Sequence, residues 1–457
     1  MRPVVIIGGG ISGLSTAYYL ARTGIRATLI EREARLGGVI QTEIVEGCLL
    51  EAGPDSFLSV KPWAMDLIGE LGLAGEVIGS NDHLRVTYVW KGGRLVPLPD
   101  GLMLMIPTRI LPVLRTPLLS WPTKLRMGLE WFRRPKGTLG KDRSVAEFVA
   151  DHYGVEAVDY LAEPLLAGVY GGDPDKLSVS SVLPRFIELE SKYGSLTKGV
   201  LAERRRAAAQ SKGAPLFRTL RRGLGQLVEA LQKATIPRPE VLHAVAEAVE
   251  RRAPGYRVRA QGEWLETEHV VLACPAYQAG ALAGGVDPEL AGLLDSIPYS
   301  SSMTVSLGFE KASFSHPLDG FGFLVPKRER RRLVACTWVG TKFSCRVPES
   351  MALLRCFLGG ENHSLLDEPD QTVIASLRGE LRKMMAVTAT PVFARIARWP
   401  RSMAQYTVGH QKRVARIEAR LRQTPGLFLA GNAYQGIGVP DCVRMGKQAA
   451  ERITARQ

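Results

Sequence analysis

The chain has 457 residues, 46% of them hydrophobic and 23% charged, a balance that excludes wholesale disorder and fits two or three globular domains. Its formal net charge of +14 favours acidic partners, namely nucleic acid, an anionic membrane surface or a polycarboxylate ligand. No RNA-binding, helix-turn-helix or zinc-finger pattern is present, so nucleic acid is set aside, and no apolar run is long enough to span a bilayer.

The first element is the apolar run Val4-Val5-Ile6-Ile7, which passes straight into Gly8-Gly9-Gly10-Ile11-Ser12-Gly13 and a helix-forming stretch to Arg22. A buried parallel strand that hands the chain to a helix in this way points helix N-terminal amides at a pyrophosphate. Gly8 permits the tight turn, Gly10 lets the backbone approach the phosphates, and Gly13 lets helix and strand pack closely. A second strand, 27–30, ends on Glu31, eighteen residues after Gly13, where an acid accepts hydrogen bonds from a ribose diol. The strand beginning at residue 3 leaves no room ahead of it for a signal or transit peptide. Six scattered cysteines without a C-x-x-C argue against zinc and a disulfide framework. The expected location is therefore the cytoplasm, with peripheral attachment to the cytoplasmic membrane left open.

Next comes a second glycine pair in Arg35-Leu36-Gly37-Gly38, which presses a loop against the cofactor, and then Gly53-Pro54-Asp55-Ser56, which is turn chemistry. Trp63, Leu67, Ile68 and Leu71 recur at helical spacing and read as core. Residues 98–141 interleave leucines, isoleucines and Trp121 with prolines 107, 112, 117 and 122. Between 101 and 141 they carry eight basic residues (Arg109, Arg115, Lys124, Arg126, Arg133, Arg134, Lys136, Lys141) and one acid, Glu130. Short amphipathic basic pieces of this kind suit an interfacial surface, or a helical cap over an apolar cavity. Ser144 caps a helix to Leu161 in a capping box with Glu147, and the basic, helix-rich segment 186–233 returns the chain. Strands then follow at 241–249, 256–260, 270–273, 304–309, 321–325, 333–338 and 353–358, with a helix at 371–385 and a strand at 393–399.

Near the C-terminus the run 427–430 is a buried-strand pattern followed by Gly431-Asn432, Gly436-Ile437-Gly438-Val439-Pro440 and a helix from about Asp441 to Ala455. This second strand-to-helix entry supplies further N-terminal amides for negative charge on a reduced flavin. Glycine segments at both ends of the chain favour FAD over a nicotinamide cofactor. The economical architecture is an interrupted α/β nucleotide domain with inserted mixed α and β segments.

These residues, together with Glu51 through Phe57, the Glu163–Asp173 segment, Gly320 through Pro326 and Gly431 through Cys442, resemble the oxygen-dependent porphyrinogen oxidases of the FAD-dependent amine oxidase superfamily. The resemblance covers essentially the whole chain. It implies a Rossmann-like FAD-binding domain (1–80 with 215–285 and 395–457), an inserted α+β substrate-binding domain (81–97 with 286–394) and a helical, membrane-associated subdomain (98–214). The implied reaction is oxidation of protoporphyrinogen IX to protoporphyrin IX, with coproporphyrinogen III to coproporphyrin III as the alternative and an amine oxidase or carotenoid desaturase as the remoter one. Molecular oxygen takes the electrons and leaves as hydrogen peroxide. The flavin carries the chemistry, so no catalytic side chain and no metal ligand is assigned. Flavin contacts carry over to Gly8, Gly10, Ile11, Ser12, Gly13, Glu31, Arg32, Gly37, Gly38, Gly53, Pro54, Asp55, Ser56, Val245, Trp399, Gly431, Ile437, Gly438 and Val439. Ring-sandwiching positions carry over to Leu324, Trp338 and Phe357, with Gly168 beside them. Some relatives pair a substrate propionate with an arginine where this chain has Thr87, and Arg85, two residues earlier, is the expected replacement on the same strand face. The sequence does not set the oligomeric state, and a homodimer stays open.

Overall fold

The computed structural model describes residues 2–135, 137, 141–207, 215–360 and 363–455. Two sheets organise it. In the first, strands Glu240–His243, Ala27–Glu31, Arg2–Ile7 and Glu263–Leu272 lie side by side in that order, the first three neighbouring pairs parallel. Strand Leu427–Leu429 runs parallel to the end of Glu263–Leu272, while Gly255–Ala260 and Ala246–Arg252 continue antiparallel from its beginning. Val4, Val5, Ile6, Leu29, Val270, Val271 and Leu272 have no exposed surface, as expected for parallel strands covered on both faces.

Helix Ile11–Ala21 is buried along all eleven of its residues, wedged between the sheet and helix Val439–Thr454. Glycine sets both contacts. A Cβ on Gly13 would lie 1.9 Å from the Gly8 carbonyl oxygen, and one on Gly446 would lie 2.5 Å from the Ser12 carbonyl oxygen. The Thr16 hydroxyl joins the pair by donating to the Ser12 and Gly446 carbonyls at 2.9 and 3.2 Å.

The second sheet runs in the order Phe393–Ala404, Tyr299–Glu310, Met351–Gly360, Leu333–Trp338, Gly322–Leu324, Thr87–Lys91, Arg94–Pro97. All of Phe393–Ala404 belongs to this sheet, so a domain boundary at 395 would cut a strand. Helix Asp370–Met385 covers one face through Val373, Leu377 and Leu381. A small bridge sheet of Phe57–Leu58, Phe217–Leu220 and Val77–Gly79 links the layers, and its central strand falls where a helix-rich return was expected. The strand expected at 241–249 is broken between His243 and Ala246.

Helices from Ile110 to Ala207 form the third body. The capping box is present, with the Glu147 amide donating to Ser144 Oγ and the Ser144 amide to Glu147 Oε2, both at 3.0 Å. The helix breaks after Tyr153, where Gly154 takes a φ of +92°, then restarts at Val155 and runs through a wider π turn at Val158–Ala162 to Tyr170, past the expected end at Leu161. Among the described residues no helix is long and apolar enough to cross a membrane.

Gly13→Ala is expected to destabilise the protein by about 3 kcal/mol or more, since neither backbone can yield. A thermal or urea unfolding curve matching the wild type would overturn that packing account.

Candidate active site

The two glycine loops meet. The Gly37 amide donates to the Gly9 carbonyl at 2.8 Å, and Gly10 bridges Gly37 as a short parallel pair. A Cβ on Gly10 would meet nothing nearer than Gly38 Cα at 4.0 Å, so the side of this loop facing the helix N-terminus is open backbone. Arg35 holds the second loop by donating to the Gly38 and Ile40 carbonyls at 2.6 and 3.2 Å. Glu31 turns back on the first loop, its oxygens accepting from the Gly9 and Glu33 amides at 2.7 and 2.9 Å. The Ala244 amide bonds the Glu31 carbonyl, which brings exposed Val245 beside it, while Arg32 is exposed and pairs with Glu33.

At the other end, Gly438 caps helix Val439–Thr454 without a side-chain group, and Asp441 in its first turn is buried and salt-bridged to Lys61 at 2.5 Å. The loop before it is braced from behind. The Tyr406 hydroxyl donates to the Asn432 carbonyl and accepts from the Gly436 amide at 2.8 and 2.7 Å. His410 stacks on Tyr406 with centroids 4.0 Å apart and contacts the Tyr434 carbonyl through Nε2 at 3.1 Å. Gly431 and Gly436 take φ values of +149° and +125°, and a Cβ on Gly436 would strike Asp441. Backbone donors at two adjoining helix starts, unobstructed glycine and an acid at the end of the second strand fit an extended dinucleotide such as FAD, in which the flavin acts as the two-electron carrier.

Between the loops, the segment Ala52–Ser56 is fixed by the second sheet. The Ala52 carbonyl accepts from Thr304 Oγ1 at 2.8 Å and from the Trp399 indole N–H at 2.9 Å, and the Gly53 carbonyl accepts from Arg355 Nη2. Trp399 therefore acts as a clamp on this segment. Below it lies a buried charge cluster. Lys342 bonds Asp55 and Ser56 Oγ at 2.9 and 3.2 Å, Arg355 approaches Asp55 at 3.7 Å, and Arg346 faces Glu51 at 3.3 Å. Burial pushes the Glu51 carboxyl up to about 6 against the pull of Arg346. Asp55 sits well below the usual carboxylate range because the pull of Lys342 and Arg355 outweighs its burial, while burial lowers Lys342 and Arg355.

Strand register decides which substrate-side positions can act together. Val89, Leu324, Ala335, Phe357, Thr304 and Ala397 form one row across the sheet, and Thr87, Gly322, Thr337, Arg355 and Ser306 form the next row on the same face. Leu324 and Phe357 thus share a face with Thr87 and Trp399. A Cβ built on exposed Gly168 would lie 3.7 Å from Leu324 Cδ2, which sets the end of helix Glu163–Tyr170 over that face. Trp338 is a correction. Three residues on from Ala335, it points to the opposite face, has no exposed surface, and packs against Tyr88 and His316 at 5.6 and 4.8 Å. Arg85 is a second correction, because the strand starts at Thr87 and exposed Arg85 lies in the preceding turn, where the same-face argument does not apply.

The helical body is tied to the sheet by four consecutive residues, Lys327 to Asp173 (2.7 Å), Arg328 to Asp159 (2.8 Å), Glu329 to the Tyr160 hydroxyl (2.9 Å) and Arg330 to Glu163 (2.7 Å). Elsewhere in that body the ligating atoms of Asp151, His152 and Glu190 cluster within 4.8 Å, a grouping the sequence did not suggest. They are already engaged: Arg133 and Arg143 hold Asp151, Arg143 holds Glu190, and Glu130 faces His152.

Gly10→Val is expected to give a folded protein without flavin absorbance, since the side chain would occupy open space needed by the pyrophosphate; stoichiometric bound FAD would refute this. Burial pushes the His410 imidazole down to about 4 from an ordinary 6.5. Its folded value lies below its unfolded one, so the unfolded chain binds the extra proton and stability falls as pH drops from 6.5 to 4. His410→Gln should flatten that part of the curve, whose slope is about 1.4 kcal/mol per pH unit; an unchanged slope in urea titrations would exclude His410 as its source.

The flavin-containing amine oxidoreductase family matches residues 11–454. The coproporphyrinogen III oxidase of Bacillus subtilis is 34% identical over 98% of this chain and 97% of its own. The chloroplastic protoporphyrinogen oxidase of Nicotiana tabacum is 25% identical over 98% of this chain and 85% of its own. A solved Exiguobacterium structure, named provisionally as a protoporphyrinogen oxidase, superposes with a TM-score of 0.89 at 31% identity, covering 100% of this chain and 99% of that one. The chain is an FAD-dependent oxidoreductase that belongs to the flavin-containing amine oxidoreductases, in their porphyrinogen oxidase branch.

Proposed function

We propose that this protein oxidises coproporphyrinogen III to coproporphyrin III in successive two-electron steps, with molecular oxygen as terminal acceptor and hydrogen peroxide as product. The observation that carries the reading is the row of Leu324 and Phe357 on one sheet face, under exposed Gly168 and Val169 and next to the clamped Ala52–Ser56 segment. A flat macrocycle fits such a face, and the bound flavin supplies the two-electron acceptor at its edge. The chain's own part is placement: Leu324 and Phe357 exclude water from the ring faces, and Thr304, Trp399 and Arg355 fix the segment that meets the flavin. No side chain is assigned a proton transfer. Coproporphyrinogen III is put ahead of protoporphyrinogen IX because the bacterial relatives of 30–34% identity carry that substrate in their names, against 25% for the plant protoporphyrinogen enzyme. Four carboxylates also suit the basic chain, and Arg85, off the strand face but exposed in the turn that leads into Thr87, is taken as a partner for one of them from that position instead.

Oxygen uptake with the two porphyrinogens side by side is expected to give a higher kcat/KM for coproporphyrinogen III. The reverse order would overturn the substrate choice, and uptake with neither would overturn the reaction. Arg85→Ala should raise KM for the tetracarboxylate by the roughly 1.5–3 kcal/mol of a charge-assisted contact, and an unchanged KM would remove Arg85 from the site.

The helical body adds a peripheral membrane contact on the cytoplasmic face. Ile110, Leu111, Trp121, Leu125, Leu129 and Phe132 are each exposed, and Trp121, Leu125 and Leu129 share one side of a helix at four-residue spacing. The electrostatic share is smaller than the eight basic residues suggest. Lys124 is buried against the Leu114 carbonyl, Arg126 bonds the Ala150 carbonyl, and Arg109 and Arg133 are salt-bridged, while Lys136 lies outside the described residues. Arg115, Arg134 and Lys141 remain, each worth about 1 kcal/mol near anionic lipid. Sedimentation with anionic vesicles should capture the wild type and release Leu125→Glu/Phe132→Glu; equal capture of both would refute the contact.

A further inference from the structure

The cluster under Ala52–Ser56 holds three cations, Lys342, Arg346 and Arg355, against two carboxylates, Glu51 and Asp55. All five are largely buried, and their formal charges sum to +1. Among the described residues no third carboxylate pairs with these cations, and what they meet besides is the ring faces of Phe217, Phe343 and Phe357, which soften the surplus without cancelling it. Arg355 Nε and Arg346 Nε are buried without an acceptor, whereas Nη2 of Arg355 donates to the Gly53 carbonyl and Nη2 of Arg346 to Thr219 Oγ1. An uncompensated buried cation is costly unless a counter-charge arrives from outside the chain. The cluster's contacts show where that charge would be felt: Arg355 donates to the Gly53 carbonyl, and Lys342 to Asp55 and Ser56. Uptake of two electrons and one proton by a neutral oxidised flavin leaves one negative charge on it, which offsets the surplus.

We propose that this cluster is a charge-setting element for the bound flavin, favouring its anionic two-electron-reduced form, with Arg355 as the positioning residue that transmits the effect. The proposal rests on the reading that Gly53–Ser56 faces the flavin ring, and it does not depend on which substrate is oxidised. Opposite-sign substitutions separate a charge effect from damage to the scaffold. Arg355→Met lowers the sum to zero, Asp55→Asn raises it to +2, and Arg355→Lys keeps it.

The test is anaerobic titration of the FAD-loaded protein with sulfite, which adds to the flavin and leaves it negatively charged, together with the two-electron midpoint potential by dye equilibration. Arg355→Met should weaken sulfite binding about tenfold or more, equivalent to about 30 mV in a two-electron couple, and lower the potential. Asp55→Asn should move both quantities the opposite way, and Arg355→Lys should match the wild type. Should Arg355→Met fail to load FAD, Lys342→Met makes the same change of charge and takes its place. Shifts of equal sign in Arg355→Met and Asp55→Asn, no shift in either, or loss of FAD from Arg355→Lys would overturn the proposal. Ser56→Trp tests the underlying placement separately. Quenched flavin fluorescence in that variant with unmoved potentials in the others would sink the charge role alone, whereas unquenched fluorescence would sink the placement.

Discussion

Backbone pressed on backbone is the constraint from which the rest of this structure follows. Gly13 against Gly8 and Gly446 against Ser12 let two helices approach a parallel sheet and each other more closely than any Cβ allows. Their N-termini then open side by side, although 425 residues separate Gly13 from Gly438. An anionic cofactor bridging those two ends binds charge from both helix termini at once. Everything between them, two inserted bodies included, must leave from and return to a sheet whose geometry is already set.

The second sheet divides its labour by face. One face is a conventional apolar core sealed by helix Asp370–Met385. The other carries Leu324, Phe357, Thr304 and Trp399 on alternate positions, with Arg355 in the same register. Trp399 and Thr304 both spend their hydrogen bonds on a single carbonyl, that of Ala52. A loop that would otherwise be a mobile turn is thereby held as firmly as a strand.

The glycine motifs, Glu31, the Ser144 capping box and most strands were legible because each depends on local spacing. Trp338 misled because motif matching assigns positions without faces. Counting in twos from Leu324's partner Ala335 would have turned it toward the core. Arg355 left a usable signal, an arginine in the middle of Leu353-Leu354-Arg355-Cys356-Phe357-Leu358, where a charge has no place unless it is paired. Lys342, Arg346, Tyr406 and His410 left none, because their roles arise from partners between 24 and 295 residues away. The basic count in 98–141 overstated surface charge for a related reason: the sequence cannot show which long side chains fold back onto carbonyls.

The run Lys327–Arg330 sits at one side of the seam between the helical body and the sheet, and its four side chains all cross it. Lys327 and Arg328 make exposed pairs of little individual weight, whereas Arg330 to Glu163 is largely buried and is the firm tie on that side. Gly168 and Val169, on the helix that begins at Glu163, stay exposed beside Leu324. The buried tie at Glu163 thus sets the height at which the exposed end of its helix stands over the Leu324 face.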